Sequence, residues 1–281
     1  MILIADSGST KTDWLALDNQ QQLNFSTVGF NPMIHAESFI REHIGNNQAL
    51  VQVAEKIEAV YFFGAGCSNP ERNIKVEQAL RAHFPLSTIS VYHDMDAAVI
   101  ALCQGKPGIA CILGTGSNSV YFDGKSDHKE LLSLGYILGD EGGGVYFGKQ
   151  ILKDYFYNRL PEEIISRWEE NFETDKETLL KMVYNEESPN RFLASFAILL
   201  SDYRQYSYIQ QLLEAGFTEF FEVHVTCFKK YREVPVHFVG SIAITFREEL
   251  ERVAEKFGCK VGRFVQKPIQ ELGKYLLHNT I

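Results

Sequence analysis

The stretches Ile4-Ala5-Asp6-Ser7-Gly8-Ser9-Thr10-Lys11-Thr12-Asp13-Trp14 and Ile112-Leu113-Gly114-Thr115-Gly116-Ser117-Asn118 read as two copies of one device. Each opens as a short apolar strand, bends through Gly, Ser and Thr, and resumes with alternating apolar residues. Superposing Gly8 on Gly116 sets Trp14 opposite Phe122 and spaces the copies about 108 residues apart. Such a bend aims several backbone N–H groups and small hydroxyls at one point, which is how a chain holds phosphate with no bulky side chain in the way. A single bend of this kind is ordinary hairpin chemistry. Two of them, each after an apolar strand and one in each half of the chain, point to a polyphosphate gripped from both sides. Asp6 and Lys11 add charges of the type that meet Mg²⁺ and phosphate.

The 281 residues suffice for two domains with separate cores. With 45% apolar and 22% charged residues, the composition is that of a soluble globular protein. A net charge of −9 argues against a nucleic-acid surface, which needs clustered Lys and Arg. The apolar run from Phe192 to Leu200 is far short of the roughly 18–20 residues that span a bilayer, and the N-terminus lacks a basic segment followed by an apolar core. No membrane association is therefore expected. Cys67, Cys103, Cys111, Cys227 and Cys259 are dispersed and form no C-x-x-C pair, so free thiols in a reducing cytoplasm are expected.

Apolar alternation predicts strands over 2–5, 13–18, 23–28, 59–63 and 88–92, with helical spacing over 36–44, 48–56, 71–83 and 97–104. Strands separated by single helices imply a mainly parallel α/β sheet with helices on its faces. Gly105-Lys106-Pro107-Gly108 is the strongest break, and the strand-bend-strand pattern restarts at Ile109, so domains are expected over 1–107 and 108–281. In the second half, Thr174-Asp175-Lys176-Glu177 fits a capping box and Ser188-Pro189 a helix start. Residues 206–231 read as helical, interrupted near Gly216, with Phe217, Phe220, Phe221 and Phe228 as a core stripe. A strand over 236–239, a helix to about 256, a strand over 259–265 and a helix from Pro268, expected to pack back on the first domain, complete the chain.

Three further segments carry chemistry. Gly64-Ala65-Gly66-Cys67-Ser68-Asn69 follows a strand, but Asn stands where a dinucleotide fingerprint needs a small residue. His93-Asp94-Met95-Asp96-Ala97-Ala98 sets two carboxylates where a strand yields to a helix. Spacing alone fits either a helix cap or a base that takes a proton from an attacking hydroxyl. In Gly139-Asp140-Glu141-Gly142-Gly143-Gly144, three glycines after two acids mean backbone pressed close to a neighbour, or a hinge. Ionised Asp and Glu there suit sugar hydroxyls. Val239-Gly240-Ser241-Ile242-Ala243 offers small residues on which a flat adenine or ribose could lie. The histidines lack metal-ligand spacing and read as structural or surface residues.

In this order the segments resemble the bacterial BadF/BadG/BcrA/BcrD ATPases and the N-acetylglucosamine kinases related to them. The resemblance implies the actin-like ATPase fold: two ribonuclease-H-like α/β domains, each a mixed five-stranded sheet with helices, flanking a central nucleotide cleft. It implies ATP and Mg²⁺, with Asp6 near the metal. Gly8, Ser9, Thr10, Lys11, Gly114, Thr115 and Gly116 would take the phosphates, and Gly240 and Ser241 the adenosine. Asp96 is similar to the general base of the kinases, and Asn31, Ser117, Asn118 and Asp140, with Asp96, to their amino-sugar contacts. The expected activity is phosphorylation of the 6-hydroxyl of N-acetylglucosamine or glucosamine. An ATPase activating a partner enzyme through a cysteine-bound iron–sulfur cluster and a non-catalytic sugar sensor are the rivals. The resemblance leaves a homodimer open.

Overall fold

Alternation along β1 (Ile2–Ser7) sorts its side chains between two cores. Leu3 and Ala5 face one, Ile4 the other. β2 (Lys11–Leu17) repeats the sorting, with Trp14 and Ala16 on the first face and Leu15 and Leu17 on the second. β3 (Gln22–Val28), α1 (Glu37–Gly45), α2 (Gln48–Val53), β4 (Ala59–Gly64), α3 (Pro70–Arg81), β5 (Thr88–His93) and α4 (Asp94–Cys103) follow. The sheet order is β3-β2-β1-β4-β5, antiparallel along the hairpins and parallel from β1 through β4 to β5. α4 begins earlier than its apolar spacing suggests, because a capping box formed by His93 and Asp96 draws both aspartates into its first turn. The computed structural model describes residues 1–8, 10–171, 175–184 and 188–278. Ser9 and Thr174 lie outside them; Asp175 Oδ1, next to Thr174, accepts from Thr178 N–H at 2.8 Å.

The chain divides into two units, Met1–Gln104 with Lys267–Ile281, and Gly105–Gln266. The second unit holds β6 (Gly108–Leu113), β7 (Ser117–Phe122), β8 (Asp127–His128), α5 (Gly135–Leu138), α6 (Gly144–Phe156), α7 (Glu162–Asn171), α8 (Lys176–Tyr184), α9 (Pro189–Ser195), α10 (Ile198–Asp202) and α11 (Ser207–Phe220). A π-turn over Phe221–Val225, β9 (Pro235–Val239), α12 (Ser241–Thr245), α13 (Arg247–Phe257) and β10 (Lys260–Val265) complete it. Its sheet order β10-β9-β6-β7-β8 repeats the order and strand senses of the first. The equivalence of the bends differs from the sequence superposition. Ser7 and Thr12 close the first hairpin, Leu113 and Ser117 the second. Gly8 therefore corresponds to Gly114, and Trp14 to Ser119 rather than Phe122.

Gly216 does not interrupt α11. It is buried under the Phe147 and Tyr146 rings, which a Cβ there would meet at 2.5–2.8 Å, and the helix changes character only at Phe221. Phe217, Phe220, Phe221 and Phe228 all lie in the core.

α14 (Ile269–Leu276) belongs to the first unit, not to the span 108–281. Ile269, Leu272 and Leu276 recur at helical spacing and bury against Ile4, Leu15, Leu17, Phe63 and Ala97.

Candidate functional site

In the first unit, Ser7, Gly64 and His93 are in register at the ends of three neighbouring strands. The segments that follow each of them therefore share one sheet edge, the edge where parallel α/β sheets receive ligands. The β1–β2 bend is pinned by Gly8 N–H donating to the Lys11 carbonyl (3.0 Å). Below it, buried Ser7 and Thr12 share a hydrogen bond (2.7 Å), and Ser7 Oγ also accepts from Phe30 N–H (2.9 Å). Gly29 N–H donates to the Thr10 carbonyl, which brings Asn31 toward the same edge. Asn31 Oδ1 accepts from Met33 N–H (2.9 Å) and packs against Gly66, where φ is +80° and any Cβ would collide with it.

Asp6 stands at the end of β1, and its carboxyl is pushed up to about 7. Loss of water is the main cause, followed by repulsion from Asp94 and Asp13, with Lys267 opposing. Asp13 itself is held below the usual carboxylate range: burial works against this, but hydrogen bonds from Lys11 (2.7 Å) and Lys267 (3.1 Å) prevail. Lys11, expected at phosphate, is thus paired with Asp13.

The two candidate bases have different surroundings. Asp96 Oδ2 accepts from His93 N–H at 2.9 Å, closing the capping box. Asp94 Oδ1 lies 2.9 Å from His93 Nδ1, and Asp94 is the carboxylate whose charge reaches Asp6. The residue expected as base is therefore held by the backbone at the head of its own helix, and its neighbour lies beside the His93 ring.

In the second unit, Gly114 N–H donates to the Gly116 carbonyl (3.0 Å), forming the equivalent bend. The head of α6 rests on it: Gly144 N–H donates to the Gly114 carbonyl (2.8 Å) and Val145 N–H to that of Thr115 (2.9 Å). A Cβ on Gly143 would stand 2.8–3.0 Å from Gly116 backbone atoms, so the glycine run is a close approach. Asp140, at φ +61°, lays its carboxylate over Gly116 and accepts from Ser117 N–H (3.1 Å). Burial raises its carboxyl above the ordinary value; Ser117 N–H and Lys149 oppose this, and Glu141 adds to it. Gly240, at φ +118°, backs onto the same bend, where any Cβ would collide with the Leu113 carbonyl. Asn118 follows Ser117 on β7 and accepts from Ser119 N–H (2.9 Å). Thr115, Ser117, Asn118, Asp140 and the Gly240–Ser241 junction are thus brought around one bend.

Solved structures place this architecture. The chain shares 36% identity and a TM-score of 0.93 with a candidate N-acetylglucosamine kinase from Porphyromonas gingivalis, each chain covered over 100% of its length. This chain belongs to that family of sugar kinases. A second candidate N-acetylglucosamine kinase, from Chromobacterium violaceum, superposes at a TM-score of 0.67 with 15% identity over 96% of this chain and 97% of its own. A ROK-family glucokinase from Streptomyces griseus, solved with glucose and AMPPNP, shares the fold at a TM-score of 0.50 and 14% identity over 94% and 93% of the two chains. No protein-family model matches the sequence, and no curated protein matches it significantly.

His224 escaped the reading of this kinase-family sequence. It is buried in the π-turn, stacks on Phe220, and its Nε2 lies 2.9 Å from Glu141 Oε2 and 3.5 Å from Ser117 Oγ. The signal was its place seven residues after Phe217 and four after Phe220, a polar side chain on a core-facing stripe that had to find a partner. Burial pushes the Cys67 thiol up to about 12 and those of Cys227 and Cys259 up to about 11. Among the described residues no three His, Cys, Asp or Glu side chains are grouped to hold a metal ion, and no helix is long and apolar enough to cross a membrane.

Proposed function

We propose that the protein transfers the γ-phosphoryl group of ATP to the 6-hydroxyl of an amino sugar, N-acetylglucosamine or glucosamine. The observation that carries this reading is the full-length 36% identity to the candidate N-acetylglucosamine kinase from Porphyromonas gingivalis. The two bends, one in each unit and each built of small residues, support it.

Gly8, Thr10 and Lys11, with Ser9 between them, and Gly114, Thr115 and Gly116 are assigned to the phosphates, and Gly240 and Ser241 to the adenosine. Asp6 fits Mg²⁺: an enclosed carboxyl with Asp94 and Asp13 close by gains from a cation, and would hold it through water. When bound, the ion neutralises charge on the phosphates during transfer. Asn31, Ser117, Asn118 and Asp140 are assigned to the sugar. The general base is placed on Asp94 instead of Asp96, since the Asp96 carboxylate caps α4 while the charge of Asp94 reaches Asp6. Asp94 would accept the proton of the 6-hydroxyl as that oxygen attacks the γ-phosphorus, the bond to the β-phosphate breaks, and ADP departs.

The test is ADP release in a coupled assay with N-acetylglucosamine, glucosamine, N-acetylmuramic acid and glucose, with ³¹P NMR of the product. Release that depends on an amino sugar and yields a 6-phosphate is expected. ADP release indifferent to every sugar would overturn the reading.

A further inference from the structure

The acidic loop carries two carboxylates, and only Asp140 is fixed by a bond from the β6–β7 hairpin, the Ser117 N–H. Glu141 is tied elsewhere. Its Oε2 lies 2.9 Å from His224 Nε2, and because a carboxylate only accepts, that nitrogen carries the proton and donates. The histidine is fixed on several sides: its ring stacks on Phe220 at 5.1 Å, its carbonyl accepts from Ser119 Oγ (2.6 Å), and Ser117 Oγ lies 3.5 Å from Nε2. A buried polar pair costs desolvation, and apolar side chains of similar volume would stabilise such a position at least as well. Packing alone therefore gives no reason for a His–Glu pair here. What the pair does provide is a fixed place for Glu141, and with it for the left-handed Asp140 backbone one residue earlier. The bend itself does not need the pair, since Gly144 and Val145 N–H groups already hold its carbonyls.

We propose that His224 is a positioning residue for the sugar: by holding Glu141 it sets the Asp140–Glu141 loop for the acceptor hydroxyls and leaves the phosphate bend untouched. This rests on the assignment of Asp140 to the sugar. Side-chain replacements separate positioning from packing. His224→Phe keeps the ring and its stacking but loses the donor, whereas His224→Gln places an amide N–H near the same point. For His224→Phe the acceptor KM should rise about tenfold or more with the ATP KM within about twofold, and His224→Gln should recover most of that loss. Glu141→Ala should give a similar rise, and the double variant His224→Phe/Glu141→Ala no more than either alone.

If His224→Phe does not fold, Glu141→Ala with His224→Gln carries the test by the same two KM values. A fall in melting temperature with unchanged acceptor KM, or equal rises in both KM values, would overturn the inference while the kinase reading stands. A wild-type protein without sugar-dependent turnover would overturn both.

Discussion

Asp94 and Asp96 share the first turn of α4, but Asp96 takes the His93 N–H while Asp94 lies beside the His93 ring, so their substitutions should separate. Asp94→Asn is expected to lower kcat by roughly 10²–10⁴-fold with little change in ATP affinity, the loss typical of a general base. Asp96→Ala should instead remove the cap, costing about 0.5–2 kcal/mol of stability with kcat far less affected. Turnover beside thermal unfolding for the two variants checks the assignment, and the reverse pattern would return the base to Asp96. His237 gives a residue-scale prediction of another kind. Its ring fits between Gly108 and Gly262, its Nδ1 accepts from Arg263 N–H (2.8 Å), and burial, with Arg263 adding, lowers its pKa to about 4. The unfolded chain takes up this proton near the ordinary value of 6.5 and the folded chain only near 4, so stability falls as pH drops across that window and levels off below it. His237→Asn keeps an acceptor for Arg263 N–H and cannot ionise. Denaturant midpoints against pH should show a flatter slope between 4 and 6.5 for this variant than for the wild type.

At the scale of elements, the contact between the head of α6 and the β6–β7 bend is the most sensitive junction. Gly143 has an ordinary φ of −82°, so replacing it tests space alone. Gly143→Ala sets a methyl against Gly116 backbone. Overpacking of this kind costs about 1–3 kcal/mol, so ATP affinity should fall by roughly tenfold or more if the strain is relieved by moving the bend. Calorimetric titration with a non-hydrolysable ATP analogue measures it; unchanged affinity would mean that α6 gives way instead. The same junction shows what could be read from sequence. Both bends, the strands beside them, the aromatic stripe and the glycine run as a possible close approach were legible, because each is local chemistry in consecutive residues. The choice between Asp94 and Asp96 was not, since it depends on a capping hydrogen bond whose geometry spacing leaves open. Nor was the Glu141–His224 pair, since the position of His224 on the stripe shows that it needs a partner but not which residue, 83 positions earlier, supplies it. The equivalence of the two bends also misled: three residues separate the closing pair in one and four in the other, and glycine spacing alone does not count them.

At the scale of the molecule, one topology is used twice, and the first unit is finished only by residues that follow the second. Leu272 is fully buried in the core that α14 shares with β1, β2 and α4. Leu272→Ala should cost about 2–5 kcal/mol, read as a lower unfolding midpoint. Because Leu272 is buried in this core and is not among the residues assigned to ATP or sugar, kcat at a temperature well below that midpoint should be retained. A midpoint equal to that of the wild type would show that α14 adds nothing to this core.

The return of α14 also has a consequence for biogenesis. On the ribosome, residues 1–104 emerge early but must wait, with Ile4, Leu15 and Phe63 lacking their cover, until more than 160 further residues have been made. The later-made unit is the one whose core is contiguous in the chain, so it can settle first. Nascent chains halted before residue 267 should therefore bring a protease-sensitive front half and a resistant back half.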